Sequence, residues 1–525
     1  MIKSNVILGV MIFLSAVSSL LLTNAATPSL LRLAVQTILI VFFVAVTLAM
    51  IPYGYSCFYM IWNSRKYSSG KLDAESFDKP FVTIQLPVYN EKYVIKRLLT
   101  AAASQDYPKD RMEIQVLDDS TDDTTILAEK MVLDLKTRGF NVELLHRTNR
   151  VGFKGGALDY GLHVARGEFI AIFDADFVPQ PDFLNQALFP LVSDAEVGWV
   201  QTRWDHVNRD YSWLTEALAF GIDGHFYVEQ TCRSAKNLTS NFCGTCGILR
   251  RKAIDDAGGW SKQILTEDLY LSYLMQLKGW KGHYLRDVSV PGEIPATVTG
   301  LKYQQGRWCK GTVQVSKRLL PTIWRTKSFS FKKKILATLH LTYYTVHPLL
   351  FLLLITSAPL VISGIVLRHY GLWWQILTVL DSVCALATPL MYLEGARLRG
   401  LSVAARLKSL FLLTIGGYGI SISNTMNYLD ALFGQVGEFR RTPKYSISTR
   451  NDSWQDKRYQ PSIPPSAPVE LAAGTYALVT LGFALAHLDL TAALFLVFYA
   501  IGYMVVGAST LREALVRRKL PQKAD

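Results

Sequence analysis

The chain has 525 residues, of which 50% are hydrophobic and 18% charged, whereas an average soluble domain is about 25% charged. This composition excludes a disordered or fully solvated protein, and the length allows one soluble domain of about 250 residues beside a membrane part. The net charge of +13 fits either nucleic acid or the cytoplasmic face of a membrane protein, and six scattered cysteines do not form a disulfide framework.

Two apolar segments open the chain. Residues 6–22 carry no charge, a second run extends from about 33 to 62, and each is long enough to span a hydrocarbon core about 30 Å thick. The first run has an alternative interpretation as a signal peptide, because small residues at 25–27 offer a cleavage site. Basic residues follow the second run, so the positive-inside rule places the next part of the chain in the cytoplasm. We predict a transmembrane hairpin over residues 1–63.

Residues 64–334 have the character of a soluble domain in which β-rich runs alternate with helical patterns. Strands are predicted at 81–86, 112–117, 142–146 and 168–173, and a helix at 91–103. Such alternation implies right-handed crossovers and a mainly parallel sheet, so the predicted fold class is α/β. Ligands of these sheets bind beyond the carboxyl ends of the strands.

Acidic side chains follow two of the predicted strands. The second strand ends in Asp118-Asp119, and the fourth is followed by Asp174-Ala175-Asp176. Carboxylates at the open edge of a sheet suit Mg²⁺ or Mn²⁺ bridging a diphosphate, and the alternative is a set of turn and capping carboxylates.

Apolar segments resume after the soluble domain, at 337–367, 372–393, 471–488 and 490–506. A further apolar stretch, 407–433, is interrupted by two glycines, two asparagines and an aspartate. The loops around it are all basic, and all can lie in the cytoplasm only if this stretch does not cross the membrane once. We therefore predict six spans and a re-entrant or interface-lying helix. Because the basic residues occupy juxtamembrane loops, we expect no nucleic-acid partner.

These segments divide the chain into five predicted parts. They are a transmembrane hairpin (1–63), a cytosolic catalytic domain (64–334), two transmembrane helices (335–396), an interface helix with a loop (397–469), and a second transmembrane hairpin with a basic tail (470–525).

Seven short motifs stand in order along the soluble domain. They are Leu86-Pro-Val-Tyr-Asn-Glu91, Asp118-Asp119, Lys154-Gly-Gly156, Asp174-Ala-Asp176, Phe242-Cys-Gly-Thr245, Thr266-Glu-Asp268 and Gln304-Gln-Gly-Arg-Trp308. Between membrane segments, this series resembles the inverting family 2 glycosyltransferases, specifically the membrane-integrated group of cellulose, hyaluronan and mannan synthases. Residues 200–204, 257–260 and 441–444 look most similar to the cellulose synthase-like enzymes that make β-mannan, glucomannan or β-glucan. The resemblance covers about 80–334 and implies a GT-A type domain.

The resemblance implies a nucleotide site and a metal site. The nucleotide-binding residues would be Pro87, Tyr89, Glu91, Asp118, Asp119, Lys154 and Asp174. The alternative for Lys154 is a solvated turn residue. Asp174 and Asp176 would bind the diphosphate through Mg²⁺ or Mn²⁺.

The resemblance also implies the catalytic groups. Asp268 would be the general base, with Glu267 beside it raising its pKa, although the pair also fits capping acids of a helix. Arg307 would stabilise the leaving diphosphate, with Gln304 in the same motif. Trp308 would stack on the acceptor sugar, or alternatively anchor the chain at the membrane interface.

Two loops complete the implied site. The rim of the acceptor site would consist of Phe242, Cys243, Gly244 and Thr245, together with Trp308. In the synthases a cytoplasmic loop with Phe, Thr and Lys closes over the nucleotide sugar, and here these are Phe439, Thr442 and Lys444. Arg441 stands where the cellulose enzymes carry an apolar residue, and the alternative is a plain basic juxtamembrane loop.

The predicted function is a processive inverting β-glycosyltransferase that polymerises a hexose and passes the polysaccharide across the membrane. The donor is UDP-glucose or GDP-mannose, with UDP-glucose favoured on family breadth, and the partners are the growing polysaccharide and the lipid bilayer. One alternative is a lipid-acceptor transferase like ceramide glucosyltransferase. Another is a transporter or receptor with a retired transferase domain, which the complete set of acids disfavours. We expect a multi-pass membrane protein with a cytoplasmic catalytic domain, and the short N-terminus favours a bacterial inner membrane.

Overall fold

The computed structural model describes residues 2–65, 67, 77–364, 371–434, 441–459 and 462–519. Two long helices, α1 (Ile2–Thr23) and α2 (Ser29–Ser64), precede an α/β domain. Further apolar helices follow that domain.

A seven-stranded sheet forms the centre of the α/β domain. Its strands are β1 (Val82–Val88), β2 (Met112–Asp118), β3 (Val142–His146), β4 (Phe169–Ile172), β5 (Val197–His206), β6 (Gly247–Arg250) and β7 (Lys281–Gly292). The spatial order is β3-β2-β1-β4-β6-β5-β7. The first four strands are parallel, as predicted, whereas β6 is antiparallel to both β4 and β5. The sheet is therefore mixed, and the four predicted strands form its parallel half.

Both faces of the sheet are covered. Along β1 the even-numbered residues Val82, Ile84 and Leu86 join one apolar core, while Thr83 and Gln85 lie fully buried on the other face. The helices of the domain are α3 (Ile95–Ala103), α4 (Thr124–Thr137), α5 (Phe153–Val164), α6 (Phe183–Ser193), α7 (Trp213–Gly224), α8 (Thr231–Ala235), α9 (Arg251–Asp256) and α10 (Glu267–Leu277). Burial on both faces explains why the strands read as continuous β-rich runs.

Two predicted boundaries differ from the structure. Strand β1 continues through Pro87 to Val88, since both residues pair in register with β2. Helix α3 begins at Ile95 rather than at residue 91, because the chain first turns through Asn90, whose φ is 52°. This turn places residues 89–91 at the edge of the sheet.

Helices α11 (Val298–Arg325) and α12 (Phe331–Leu341) connect the α/β domain to the remaining apolar helices. Those helices are α13 (Val346–Ile362), α14 (Leu372–Leu398), α15 (Leu407–Gly419), α16 (Ser421–Phe433), α17 (Ala467–Ala486) and α18 (Leu490–Lys519). The predicted span 337–367 is interrupted, since α12 ends at Leu341 and a 3-10 turn precedes α13; residues 365–367 lie outside the described residues.

Five helices in the described part of the chain are long and apolar enough to cross a membrane. They are Ser29–Ser64, Tyr343–Ile362, Gln375–Leu398, Ala467–Ala486 and Leu490–Arg517. Residues 6–22 were predicted as a sixth span. Helix α1 forms there, but its apolar part, Leu8–Thr23, is shorter than the five helices above.

The ambiguous stretch 407–433 forms two helices, α15 and α16, which meet at Ile420. Near its start the Ser409 hydroxyl donates to Glu216 Oε1 of α7 at 2.7 Å. Near its end Lys310 of α11 donates to Asp430 Oδ2 at 3.1 Å. Both ends of the stretch thus contact helices that adjoin the α/β domain.

Candidate active site

A cleft of about 1200 Å³, counted to its open mouth, lies at the carboxyl ends of the parallel strands. Its lining comes from the turns after β1, β2 and β4, from the start of α10, from one face of α11, and from residues 441–444. Segments distant in the chain therefore meet here because the parallel strands all end at one edge.

The turns after β1 and β2 form one end of the cleft. The guanidinium of Arg150 lies 3.3 Å from the centroid of the Tyr89 ring. Asp119 accepts from Arg147 at 2.7 and 2.5 Å, one bond to each carboxylate oxygen. Asp118 is fully buried beneath the cleft, where it contacts His146 Nδ1 at 2.8 Å. Pro87, Tyr89, Glu91 and Asp119 line the cleft, and Asp118 supports it from below.

The acidic pair after β4 lies at the middle of the cleft, and a lysine contacts each carboxylate. Lys154 Nζ donates to Asp174 Oδ1 at 2.5 Å and to the carbonyl oxygen of Gly244 at 2.8 Å. Lys444 Nζ donates to Asp176 Oδ2 at 2.7 Å. Burial lowers the pKa of Lys154, but the charges of Asp174, Glu267 and Asp268 outweigh it and raise the pKa overall. Lys154 is thus charged at neutral pH.

Asp174 and Asp176 are also the residues that would bind a divalent cation. No group of three or more His, Cys, Asp or Glu side chains in the described part of the chain could hold a metal ion by itself. Asp174 and Asp176 supply two hard carboxylate donors, separated by one residue, just after the end of β4. Such a pair fits Mg²⁺ or Mn²⁺ when the diphosphate and water complete the coordination, because Mg²⁺ sites in proteins commonly use one or two carboxylates.

Helix α10 begins inside the cleft with two acids, Glu267 and Asp268. Burial raises the pKa of Glu267, and the neighbouring charge of Asp268 adds to this effect. Burial also raises the pKa of Asp268, against the opposing influence of Lys154 and Arg307. A raised pKa makes a carboxylate a stronger base, so the arrangement suits proton removal.

Gly244 lies against Asp268 and has a φ of +81°. A Cβ at this position would lie 2.8 Å from Asp268 Oδ2, so both the backbone conformation and the close approach require glycine. Cys243 lines the cleft beside it, whereas Phe242 is fully buried in the core. Thr245 is buried as well, and its hydroxyl accepts from the backbone N–H of Asp174 at 2.9 Å. The loop therefore ties the end of β4 to the start of α10.

Helix α11 presents Gln304, Arg307 and Trp308 to the cleft. Residues at positions i, i+3 and i+4 share one face of a helix, which explains why these three point together. The Thr297 side chain caps the helix by accepting from the N–H of Gly300 at 3.0 Å. On another face Cys309 contacts the carbonyl oxygen of Asn424 in α16 at 3.5 Å.

Residues 441–459, which we call the strap, begin at the cleft and continue over the surface beside it, with contacts to Asp210 and Asp122. Arg441 Nη1 donates to the backbone carbonyls of Tyr89 and Asn90, and its Nε lies 3.7 Å from Glu91 Oε1. Burial raises the pKa of Glu91 to about 7, against the opposing charge of Arg441. Thr442 and Lys444 line the cleft. Phe439 lies outside the described residues.

Besides Asp205 of β5, sequence reasoning missed an acid of the cleft, Glu293. It follows β7 directly, and its backbone N–H donates to Asp176 Oδ2 at 3.2 Å. Its Oε1 accepts from the N–H of Tyr445 in the strap at 2.8 Å. An acid just after a β-rich run is the signal that identified Asp118 and Asp174, so the same rule could have found Glu293. Arg150, Trp204 and His206 also line the cleft, without a comparable signal.

The α/β domain carries paired acids after β4, acids at the start of α10 and an arginine in the same cleft, which is the set that the predicted resemblance to GT-A type glycosyltransferases implies. Residues 80–311 match the family model described as "Glycosyltransferase like family 2". This match over residues 80–311, between apolar helices, confirms the predicted resemblance to family 2 glycosyltransferases, and the seven-stranded sheet confirms the predicted α/β fold class.

Plant proteins are among the relatives of this domain. The chain is 39% identical over 264 residues to "Glucomannan 4-beta-mannosyltransferase 2" of Arabidopsis thaliana, covering 49% of each protein. It is 42% identical over 268 residues to "Probable glucomannan 4-beta-mannosyltransferase 11" of Oryza sativa subsp. japonica, covering 50% of this chain and 46% of the relative. The chain spans about half the length of the curated relatives it matches.

Among solved structures, the chain is similar to the mannosyltransferase PcManGT from Pyrobaculum calidifontis in complex with GDP-Man and Mn²⁺. The identity is 22%, the alignment covers 69% of this chain and 98% of that chain, and the TM-score is 0.47.

Proposed function

We propose that the protein transfers hexose units, specifically mannose from GDP-mannose, to a β-linked polysaccharide with inversion at the anomeric carbon. The observation that carries this proposal is the placement of Asp268 in one buried cleft with Asp174, Asp176 and Arg307. A base for the acceptor and a cationic site for the leaving diphosphate are the two requirements of inverting transfer.

The choice of mannose rests on the relatives. The plant relatives at 39% and 42% identity are named as glucomannan 4-beta-mannosyltransferases. These names favour GDP-mannose as the donor. UDP-glucose is favoured only by the range of sugars that the family as a whole uses. The same names support a polysaccharide acceptor rather than a lipid.

The proposed chemistry assigns a role to each group of the cleft. Asp268 takes the proton of the acceptor hydroxyl as that oxygen attacks the anomeric carbon, and the bond to the diphosphate breaks on the opposite face. Arg307 and Lys154 lie where they can stabilise charge developing on the diphosphate. A divalent cation held by Asp174 and Asp176 would supply further Lewis-acid stabilisation of that leaving group. Trp308 offers an indole face for the acceptor sugar.

We also propose that the catalytic domain faces the cytoplasm and that residues 407–433 enter the membrane region without crossing it. The contacts of Ser409 with Glu216 and of Lys310 with Asp430, at opposite ends of the stretch, support this topology. A cysteine introduced at Ser402, before the stretch, and one at Thr449, after it, should react with an impermeant thiol reagent from the same side. Labelling from opposite sides would refute the topology. The plant relatives lend no support to a bacterial inner membrane.

Product analysis tests the function. Purified protein in lipid nanodiscs is incubated with labelled GDP-mannose or UDP-glucose, and the product is sized before and after digestion with β-mannanase. We expect long, mannanase-sensitive chains from GDP-mannose, with an Asp268→Asn variant as the inactive control. A single-sugar glycolipid under saturating donor would instead establish the lipid-acceptor alternative. Export is tested separately, by polymer that accumulates inside sealed inverted vesicles.

A further inference from the structure

A buried ion pair joins helix α11 to the hairpin of α17 and α18. The side chain of Lys302 in α11 is 2% exposed, that of Glu470 in α17 is 0% exposed, and Lys302 Nζ lies 2.6 Å from Glu470 Oε2. Lys302 also donates to the hydroxyl of Thr510 in α18 at 2.7 Å. A buried ion pair seldom stabilises a fold more than apolar residues of the same size would, so this one calls for a role in fixing geometry.

A second acid of the same hairpin holds the beginning of α11. Glu513 of α18 accepts from the backbone N–H of Val298 at 2.7 Å and from that of Thr299 at 2.9 Å, one bond to each oxygen. The first N–H groups of a helix lack intrahelical partners, and the positive end of the helix dipole favours a carboxylate there. Glu513 therefore fixes the position of the first turn, and Lys302 fixes the next one.

These contacts lie less than two turns before Gln304, the first of the three residues that face the cleft. Successive residues of a helix are rotated by about 100°, so Lys302 and Gln304 point to nearly opposite sides of α11. The hairpin of α17 and α18 thus contacts the face of α11 that points away from the cleft. Gln304, Arg307 and Trp308 lie on the face towards the cleft. A rotation of α11 would move all three side chains together.

We propose that Lys302, Glu470 and Glu513 are positioning residues that set the rotation and height of α11, and thereby place Arg307 and Trp308 for sugar transfer. This inference rests on the proposed function of the cleft. The three residues lie outside the cleft lining, so they act through α11.

Single and paired substitutions test the proposal in nanodiscs, with the full chain. Lys302→Met and Glu470→Gln should each lower kcat of sugar transfer at least about tenfold, because displacements of about 1 Å at a reacting centre cost up to 10²-fold. Nucleotide affinity, measured by titration with GDP, should fall much less than kcat, since the nucleotide end of the cleft is formed by the turns after β1 and β2. The charge swap of Lys302→Glu with Glu470→Lys should recover much of the lost rate.

Glu513 gives an independent arm, because Glu513→Gln retains one acceptor oxygen for the two N–H groups and Glu513→Ala retains none. We expect the glutamine variant to transfer sugar faster than the alanine variant at equal GDP affinity. The control is Thr480→Val, which removes a buried hydroxyl of α17 that bonds within its own helix to Tyr476, and it should leave kcat unchanged.

The outcomes separate the two levels of the argument. If the wild-type chain transfers no sugar, the proposed function fails. If the wild type is active and the single variants keep its kcat, the positioning role is wrong. Parallel losses of kcat, GDP affinity and thermal stability, without recovery in the charge swap or grading at Glu513, would also overturn it, because they indicate a role in folding alone.

Discussion

The contact between Gly244 and Asp268 yields a prediction in which strain and catalysis can be separated. Gly244 has a φ of +81°, and a Cβ there would lie 2.8 Å from Asp268 Oδ2 and 3.3 Å from Lys154 Nζ. A separation below 3.0 Å forces Asp268 or the loop to move. Gly244→Ala should therefore displace the base by several tenths of an ångström and lower kcat by about 10- to 10²-fold.

A matched glycine provides the control for the backbone strain. Gly139, in the turn before β3, has a φ of +80° and no atom within 4 Å of the Cβ position. Placing alanine in the left-handed region costs roughly 1–2 kcal/mol at either site. Gly139→Ala and Gly244→Ala should thus lose similar free energy of unfolding, and only the second should lose activity.

The assay combines thermal unfolding with nucleotide release from a saturating nucleotide sugar in the presence of acceptor. GDP affinity should stay within a few-fold of wild type in both variants, because the added Cβ approaches Asp268, the proposed general base, more closely than Lys154. Equal kcat values for Gly139→Ala and Gly244→Ala would refute the inference that the close approach of residue 244 sets the position of Asp268.

Three further predictions concern groups of the same cleft. Asp268→Asn should lower transfer by about 10² to 10⁴-fold and retain GDP affinity. Asp176→Asn should lower transfer and also weaken GDP binding in the presence of Mn²⁺. Equal GDP affinities of the two variants in calorimetry would contradict these separate roles. Trp308→Ala should lower transfer to acceptor much more than GDP affinity, whereas Arg307→Ala should lower kcat by about 10²-fold or more, and wild-type rates in either variant would remove that residue from the site. Burial raises the pKa of Glu91 from 4.5 to about 7, so its uncharged form favours the folded state, and on the order of 3 kcal/mol of stability is lost as pH rises from about 4.5 to about 7. Glu91→Gln should remove this loss. If the free energy of unfolding of wild type and variant changed equally with pH between 5 and 8, the prediction would be contradicted.

Residues at the ends of strands were the most accessible to sequence reasoning. Four parallel strands were predicted, and their shared edge follows from topology alone, so Asp119 and Asp174 could be expected in one cleft. The resemblance grouped Gln304, Arg307 and Trp308, and their i, i+3 and i+4 spacing accounts for the shared face that they have on α11. Local periodicity is sufficient in these cases because neighbours in the chain determine where the side chains point.

Features that depend on distant segments were not accessible in this way. Strand β6 inserts antiparallel between β4 and β5, and its four residues are too short to produce a periodic signal. The break between α12 and α13 was also missed, because the apolar run continues through the turn that separates them. Hydropathy reports the environment of a residue and is insensitive to such turns.

The partners of a buried acid are the clearest example, because they decide its chemistry. Glu293 appears in the sequence as an ordinary residue after a strand, yet its contacts come from the strap, where Lys444 donates to its carbonyl oxygen at 2.9 Å and the N–H of Tyr445 to its Oε1 at 2.8 Å. Burial raises the pKa of Glu293, with Lys444 opposing that effect. These contacts join residues 151 and 152 positions apart, so no local pattern could contain them. The position of an acid at the cleft follows from its strand, whereas its protonation follows from whatever chain folds over it.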